Sequence, residues 1–190
     1  MLSPEYPIET DRLILRPFEA GDLEALHRVH AEPEVSAFLY WSPRDEERVR
    51  EILEEKIAQA EIRDEGRNLS VAVELRTGSE LIGDLDLFWT SVEHRQGEVG
   101  YVFDPAHQDR GYATEAVAVL LELGFEGLGL HRITGRLDGR NAANARVLEK
   151  NGMRREAHLV ENELIKGVWT DEMIYAILER DWRTLRDRAA

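Results

Sequence analysis

The chain has 190 residues, 43% hydrophobic and 33% charged, enough for one compact domain with a sizeable core and too few to expect two. A formal net charge of −14 argues against nucleic acid or an anionic membrane as the main partner, because both are polyanions. The absence of cysteine excludes a disulfide framework, thiolate metal ligands and any route through an acyl-cysteine.

An acidic field steers in a basic amine or basic peptide, although acidity also serves plain solubility. No apolar run approaches the ~20 residues that cross a bilayer. The start Met1-Leu2-Ser3-Pro4-Glu5 lacks the basic residues and apolar stretch of a signal peptide, so a cytoplasmic protein is the expectation.

Taken in chain order, Thr10–Phe18 alternates around Leu13 and Leu15 and reads as a strand. Asp22 is placed to cap a short helix carrying Leu23, Leu26 and Val29. Ser42-Pro43 is expected to open the next helix, with Val49, Ile52, Leu53, Ile57 and Ala60 on its apolar face. Three strands follow, at Leu69–Leu75, Leu81–Trp89 and Glu98–Phe103, with Thr77-Gly78 turning between the first two. A helix is predicted over Tyr112–Glu126, a strand over Arg132–Leu137, a helix over Asn141–Lys150, and two strands near Arg154–Val160 and Val168–Leu178. This order predicts a single α/β (α+β) domain over residues 8–182, with a mixed sheet of about seven strands flanked by about four helices. Residues 1–7 and 183–190 read as terminal tails.

The segment Gln108-Asp109-Arg110-Gly111-Tyr112-Ala113 joins a strand to a helix. A helix N-terminus offers unpaired N–H groups and a partial positive charge to an anion such as phosphate. Gly111 lets the backbone approach closely, small Ala113 leaves room, and Arg110 can add a charge-assisted contact. An ordinary glycine turn explains the loop equally well when it is taken alone. The chain lacks G-x-x-x-x-G-K-[ST] and G-x-S-x-G, and Gly124, Gly127 and Gly129 have the wrong spacing for a dinucleotide fingerprint.

Gln108-x-x-Gly111-x-Ala113 is similar to the (Arg/Gln)-x-x-Gly-x-(Gly/Ala) signature of the GNAT superfamily of acetyl-CoA-dependent N-acetyltransferases. Residues 100–116 resemble that family's central strand, loop and helix, and Asn141–Met153 resembles its N-x-x-S…E-K-x-G-F segment. Thr10–Pro17 and Trp169-Thr170-Asp171…Tyr175 resemble the branch containing the ribosomal-protein N-terminal acetyltransferases. Two positions depart from the pattern: Asn144 stands where serine is usual, and Met153 where an aromatic is common. The resemblance implies direct attack of an amine on acetyl-CoA in a ternary complex. It implies that the loop from Gln108 to Thr114 holds the pyrophosphate, that backbone groups of Tyr101, Val102 and Phe103 hold the pantetheine arm, and that Val102 supplies a donor near the thioester carbonyl. Asn141 and Asn144 are expected at the cofactor arm, although Asn141 can equally cap its helix.

Acetyl transfer from a thioester to an amine needs a polarised carbonyl, a deprotonated amine, donors for the oxyanion and a proton for the thiolate. Two carboxylates are candidate bases. Glu98 shares a strand face with Gly100 and Val102, and Glu163 stands where the ribosomal-protein branch carries a proposed base. Each can equally be a solvated or ion-paired glutamate, and Glu161 shares a face with Glu163. Tyr175 has the residue type for the acid, or belongs to the core beside Ile174 and Ile177. Tyr112 can pack on the cofactor.

His27 and His30 have a metal-like spacing, but no third ligand is evident nearby, so a solvated helix face is expected and no metal is predicted. His107 lies beside the loop. Trp41, Trp89 and Trp169 either line an acceptor pocket or belong to the core or to a homodimer interface. The acceptor stays open among a protein N-terminus, a polyamine, an amino-sugar and a metabolite amine. A non-catalytic acyl-CoA sensor is the rival to an enzyme.

Overall fold

The computed structural model describes residues 1–189. Among these, eight strands form one mixed sheet: β1 (Ile8–Glu9), β2 (Leu13–Arg16), β3 (Asn68–Leu75), β4 (Leu81–Ser91), β5 (Gln96–Phe103), β6 (Arg132–Asp138), β7 (Arg154–Ile165) and β8 (Val168–Leu178). Their spatial order is β1-β2-β3-β4-β5-β6-β8-β7. The helices are α1 (Leu23–His30), the single turn α2 (Pro33–Ser36), α3 (Glu46–Ile57), α4 (Tyr112–Glu122), α5 (Ala142–Lys150) and α6 (Glu179–Ala189).

Two-residue alternation sorts the sheet into two faces. Leu13, Leu15, Val71, Leu85, Val99 and Ile133 point to the main core, where Ala116, Val117, Leu120 and Leu121 of α4 and Leu148 of α5 pack. Ala72 points the other way, to a smaller cluster with Leu26 of α1 and Val49 and Leu53 of α3. The helices therefore cover both faces.

Several expectations change. The helix read as opening at Ser42-Pro43 starts at Glu46, because Asp45 takes the cap by accepting from Arg48 N–H at 2.9 Å. Arg44 N–H instead donates to His30 O at 3.1 Å, which keeps the preceding residues extended. Asp22 does not cap α1. It is buried, accepts from Glu19 N–H at 2.8 Å, and forms a two-point ion pair with Arg16. On α3, Lys56 is buried while Ile57 is exposed. His30, read as part of a solvated face, is also buried and lies 2.9 Å from Asp84.

Among the described residues, both terminal segments carry defined contacts. Leu2 is buried and exchanges two backbone hydrogen bonds with Ile62, and residues 183–189 complete α6. The charged outer face of α6 conceals its anchor in the sequence: Trp182 packs on Phe125, with ring centroids 5.2 Å apart. Replacing Trp182 with Ala should lower the unfolding free energy by about 3–5 kcal/mol. A denaturant midpoint unchanged from wild type would restore the reading of this segment as a tail.

Candidate active site

The site begins where two parallel strands part. β5 and β6 pair only from Gln96–Glu98 to Arg132–Thr134. Beyond that point β5 continues to Phe103 against β4 alone, and β6 continues to Asp138 against β8 alone. The result is a fork with one open backbone edge on β5.

The register shows which groups that edge presents. Asp104 N–H donates to Ile82 O at 2.8 Å, and Val102 stands opposite Asp84 two residues earlier. Antiparallel alternation then turns the amide groups of Val102 toward β4 and those of Tyr101 and Phe103 into the fork. The donor expected at Val102 is thus already engaged in the sheet.

A cleft of about 260 Å³ runs from this edge to α4 and α5. Tyr101, Val102 and Phe103 line it on one side, with Asn141 and Asn144 from α5 across from them. Gln108, Asp109, Gly111, Tyr112, Ala113 and Thr114 line its far end, with His107 beside them. Arg110 is not in the lining; its carbonyl accepts from Arg12 Nη1 at 2.8 Å.

The loop has the geometry of an anion site. Gly111 is the N-cap of α4 in the left-handed region (φ 81°), and no side chain caps the helix. Glu115 N–H is the first to find an intrahelical acceptor, Gly111 O at 3.1 Å, which leaves the preceding amides free at the positive helix end. Arg12, which the sequence did not single out, holds this loop. It pairs with Glu115 at 2.6 Å, while Thr10 donates to the same carboxylate at 2.6 Å. Its guanidinium lies 4.7 Å from the centre of the Tyr112 ring. These donors pull the Glu115 carboxyl below its ordinary range against the opposing effect of burial.

Asn141 caps α5, its Oδ1 accepting from Asn144 N–H at 3.0 Å. Asn144 has a buried Oδ1 with no hydrogen-bond partner. A buried acceptor of this kind is costly unless something donates to it. An amide-bearing arm laid along the fork would fit there. The uncapped helix end and the unpartnered Asn144 thus match an elongated ligand with amides in the middle and phosphates at one end.

Tyr175 belongs elsewhere. It is buried on the core face, and its hydroxyl donates to Glu149 at 3.1 Å, so the structure does not bring it to the fork as an acid.

The two candidate bases have different partners away from the α4–α5 core. Glu98 stands at the branch point, half-buried, and burial with the nearby Glu172 pushes its carboxyl up, while Arg136 and Thr134 oppose the shift. Glu172 is itself buried, held by Arg136 Nε at 2.6 Å and Asn162 Nδ2 at 2.8 Å. Glu163 lies across this group on β7, where both carboxylate oxygens are 2.7 Å from the Tyr40 hydroxyl. His158 and Asp171, at 2.6 Å, form an exposed pair farther along the same hairpin.

The fold and cleft define an α/β domain built to hold an acyl-CoA across a split sheet. The profile of the acetyltransferase (GNAT) domain family matches residues 12–154. An N-acetyltransferase of Bacillus subtilis is 34% identical over 92% of this chain and 98% of its own length. A GNAT-family acetyltransferase structure from Bacillus anthracis superposes with a TM-score of 0.81 at 32% identity, covering 91% of this chain and 98% of that one. The spermidine N-acetyltransferase of Vibrio cholerae, solved with CoA and spermine, superposes with a TM-score of 0.77 at 26% identity over 92% of this chain and 99% of that one. The chain belongs to the GNAT family and is an acetyl-CoA-dependent N-acetyltransferase.

Gly111→Val should weaken CoA binding roughly tenfold, since a β-branched residue at positive φ costs about 1–2 kcal/mol. Its Cβ would also lie 3.4 Å from Arg12 Nη2. Titration calorimetry with CoA measures this, and unchanged affinity would remove the loop from the CoA site.

Proposed function

We propose that this enzyme acetylates a primary amine by direct attack on acetyl-CoA within a ternary complex, with Glu98 as the general base. The observation that carries the reading is the position of Glu98 at the fork, on the face opposite the α4–α5 core and beside Gly100 and Val102.

Acetyl-CoA supplies an acetyl thioester, and this chain's residues position it. The free amides at the start of α4 hold the pyrophosphate, with Gly111 allowing close approach. The open groups of Tyr101 and Phe103 pair with the pantetheine arm as an added strand would. Asn144 Oδ1 accepts from an amide of that arm. Val102, which lines the cleft, would then flank the thioester, with the Glu98 face open to an arriving amine.

The incoming ammonium must lose one proton before attack and another as the amide forms. An ordinary carboxylate is a weak base for that step; one raised by burial is better matched to it. Glu98 has that surrounding, directly or through one water. Glu163 is engaged with the Tyr40 hydroxyl. The overall reaction breaks the thioester C–S bond, forms the amide C–N bond and releases CoA thiol and a proton.

Because Glu98 acts as a carboxylate with a raised pKa, kcat/KM should fall as the pH drops through that value. Glu98→Gln should cut turnover by about a hundredfold or more and abolish that acidic limb. CoA affinity should be unchanged. Glu163→Gln should leave the acidic limb in place. If Glu163→Gln removed the limb and Glu98→Gln kept it, the base would be Glu163.

A further inference from the structure

A second cavity of about 330 Å³ adjoins the CoA cleft on the face covered by α1 and α3, and Val102 lines both. It is lined by three cations, Arg44, Arg48 and Lys56, and three carboxylates, Glu55, Asp84 and Asp86, which are unevenly paired with one another.

The floor holds Asp84 and Asp86 of β4 with one cation, Lys56, whose ammonium lies 3.3 Å from Asp84 and 3.0 Å from Asp86. His30 adds no charge. Its Nδ1 lies 3.0 Å from Arg44 Nη1, and a guanidinium can only donate, so Nδ1 is the acceptor. The ring proton is therefore on Nε2, which donates to Asp84 at 2.9 Å. Two carboxylates and one ammonium leave a net negative floor. Asp84 is fully enclosed, whereas the Asp86 side chain is 20% exposed and its Oδ2 accepts from Lys56 alone. The surplus charge faces the cavity at Asp86. Gly100 stands opposite it on β5 and contributes no side chain of its own, with the Phe88 ring packed beside that position.

The wall carries the opposite imbalance. Arg44 lies flat on Trp41, 3.9 Å from the ring centre, and is pinned by its bond to His30. It is half-buried, yet among the described residues no carboxylate lies within ion-pair distance of it. Burial and the neighbouring Arg48 pull its pKa down, and Asp84 and Glu55 only partly oppose them. Arg48 is itself paired with Glu51. A half-buried guanidinium fixed in place with no direct ion-pair partner, Glu55 and Asp84 acting on it only from farther off, favours an incoming anion.

We propose that this cavity is the acceptor site and takes a zwitterionic amine. Its carboxylate or phosphate rests on Arg44, and its ammonium lies toward Asp86 and the fork. The proposal rests on the reading that the enzyme acetylates a primary amine. A polyamine would set a cation against Arg44, which disfavours it here.

The test measures CoA release with acetyl-CoA and paired acceptors: leucine against isoamylamine, phenylalanine against phenethylamine, phosphoethanolamine against ethanolamine, and spermidine. At least one zwitterion should exceed its uncharged-tail partner, and spermidine, by roughly tenfold or more in kcat/KM, as expected for a charge-assisted contact. The amino acid and phosphoethanolamine arms separate a carboxylate from a phosphate. Arg44→Met should bring that ratio close to one, mainly through KM, while Arg44→Lys should retain part of it. Equal CoA affinity in all variants shows that the fold is intact. Preference for spermidine or the amines lacking an anionic group, or an unchanged ratio in Arg44→Met, overturns the proposal. Binding is read separately from turnover by Trp41 fluorescence quenching with CoA present. Zwitterion binding lost in Arg44→Met, with no turnover on any amine, would uphold this site and refute the acetylation reading. Absence of quenching and turnover with every zwitterion would overturn the site.

Discussion

The constraint on which this molecule depends is the separation of β5 from β6. A strand edge that loses its partner inside a domain leaves backbone donors and acceptors that must be met by something. Here the pairing stops after Glu98 and Thr134, and the groups of Tyr101 and Phe103 are left open. The divergence is accommodated by close packing on each branch. Gly97 in the paired stretch has Leu130 and the Phe88 carbonyl where a side chain would stand. Gly135 lets Leu148 of α5 press close to β6 just past the branch point. Small residues thus bring the elements together below the fork, and α5 occupies the angle above it. The same branch point places Glu98 on the sheet face opposite the α4–α5 core.

The loop at the end of that cleft depends on a residue nearly a hundred positions away. Arg12 bonds to Glu115 in the first turn of α4 and to the Arg110 carbonyl, and covers Tyr112. Each contact is partly exposed, so each contributes only modestly to stability. Their joint effect is geometric. Glu115 favours the positive end of α4 without capping it, because its carboxylate is turned outward to Thr10 and Arg12. The leading amides of the helix stay free for a ligand. A capping serine or aspartate at Gly111 would have occupied them.

Much of this was legible in the sequence where local chemistry decides structure. The strand alternation, the glycine before α4, the Asn141 cap and the order of the segments 100–116 and 141–153 depend on near neighbours, and the fold follows them. Features set by tertiary contacts were not legible. His30 and Lys56 look like solvated helix residues until Asp84 and Asp86, on a strand more than twenty-five positions later, bury them as partners. Trp182 anchors a helix whose other residues are mostly charged, and so resembles a tail. Residue type says nothing of which way the Val102 amide points; only the register with β4 turns it into the sheet. Tyr175 has a reactive group, but strand alternation turns it to the core.

The overall charge and the charge of the acceptor cavity carry different information. A net charge of −14 draws cations toward the surface, and on that ground a polyamine is a natural acceptor. That field is screened over about 8 Å at physiological ionic strength, so it governs encounter more than fit. Within the cavity the governing charges are few, fixed and poorly solvated, and they are of both signs. Arg44 is held rigidly by Trp41 and His30, so it cannot turn away to meet solvent as a surface arginine would. Leaving it unpaired costs free energy in the empty enzyme, and that cost is recovered only by a ligand that brings an anion. Asp86 makes the complementary demand for a cation a few side chains away. Selectivity then follows from the difference between two ligands at the same charges rather than from total attraction to an acidic protein. The helix that supplies Lys56 and the segment that supplies Arg44 are adjacent in the chain, so substitutions confined to residues 40–60 would change the acceptor while leaving the CoA cleft intact.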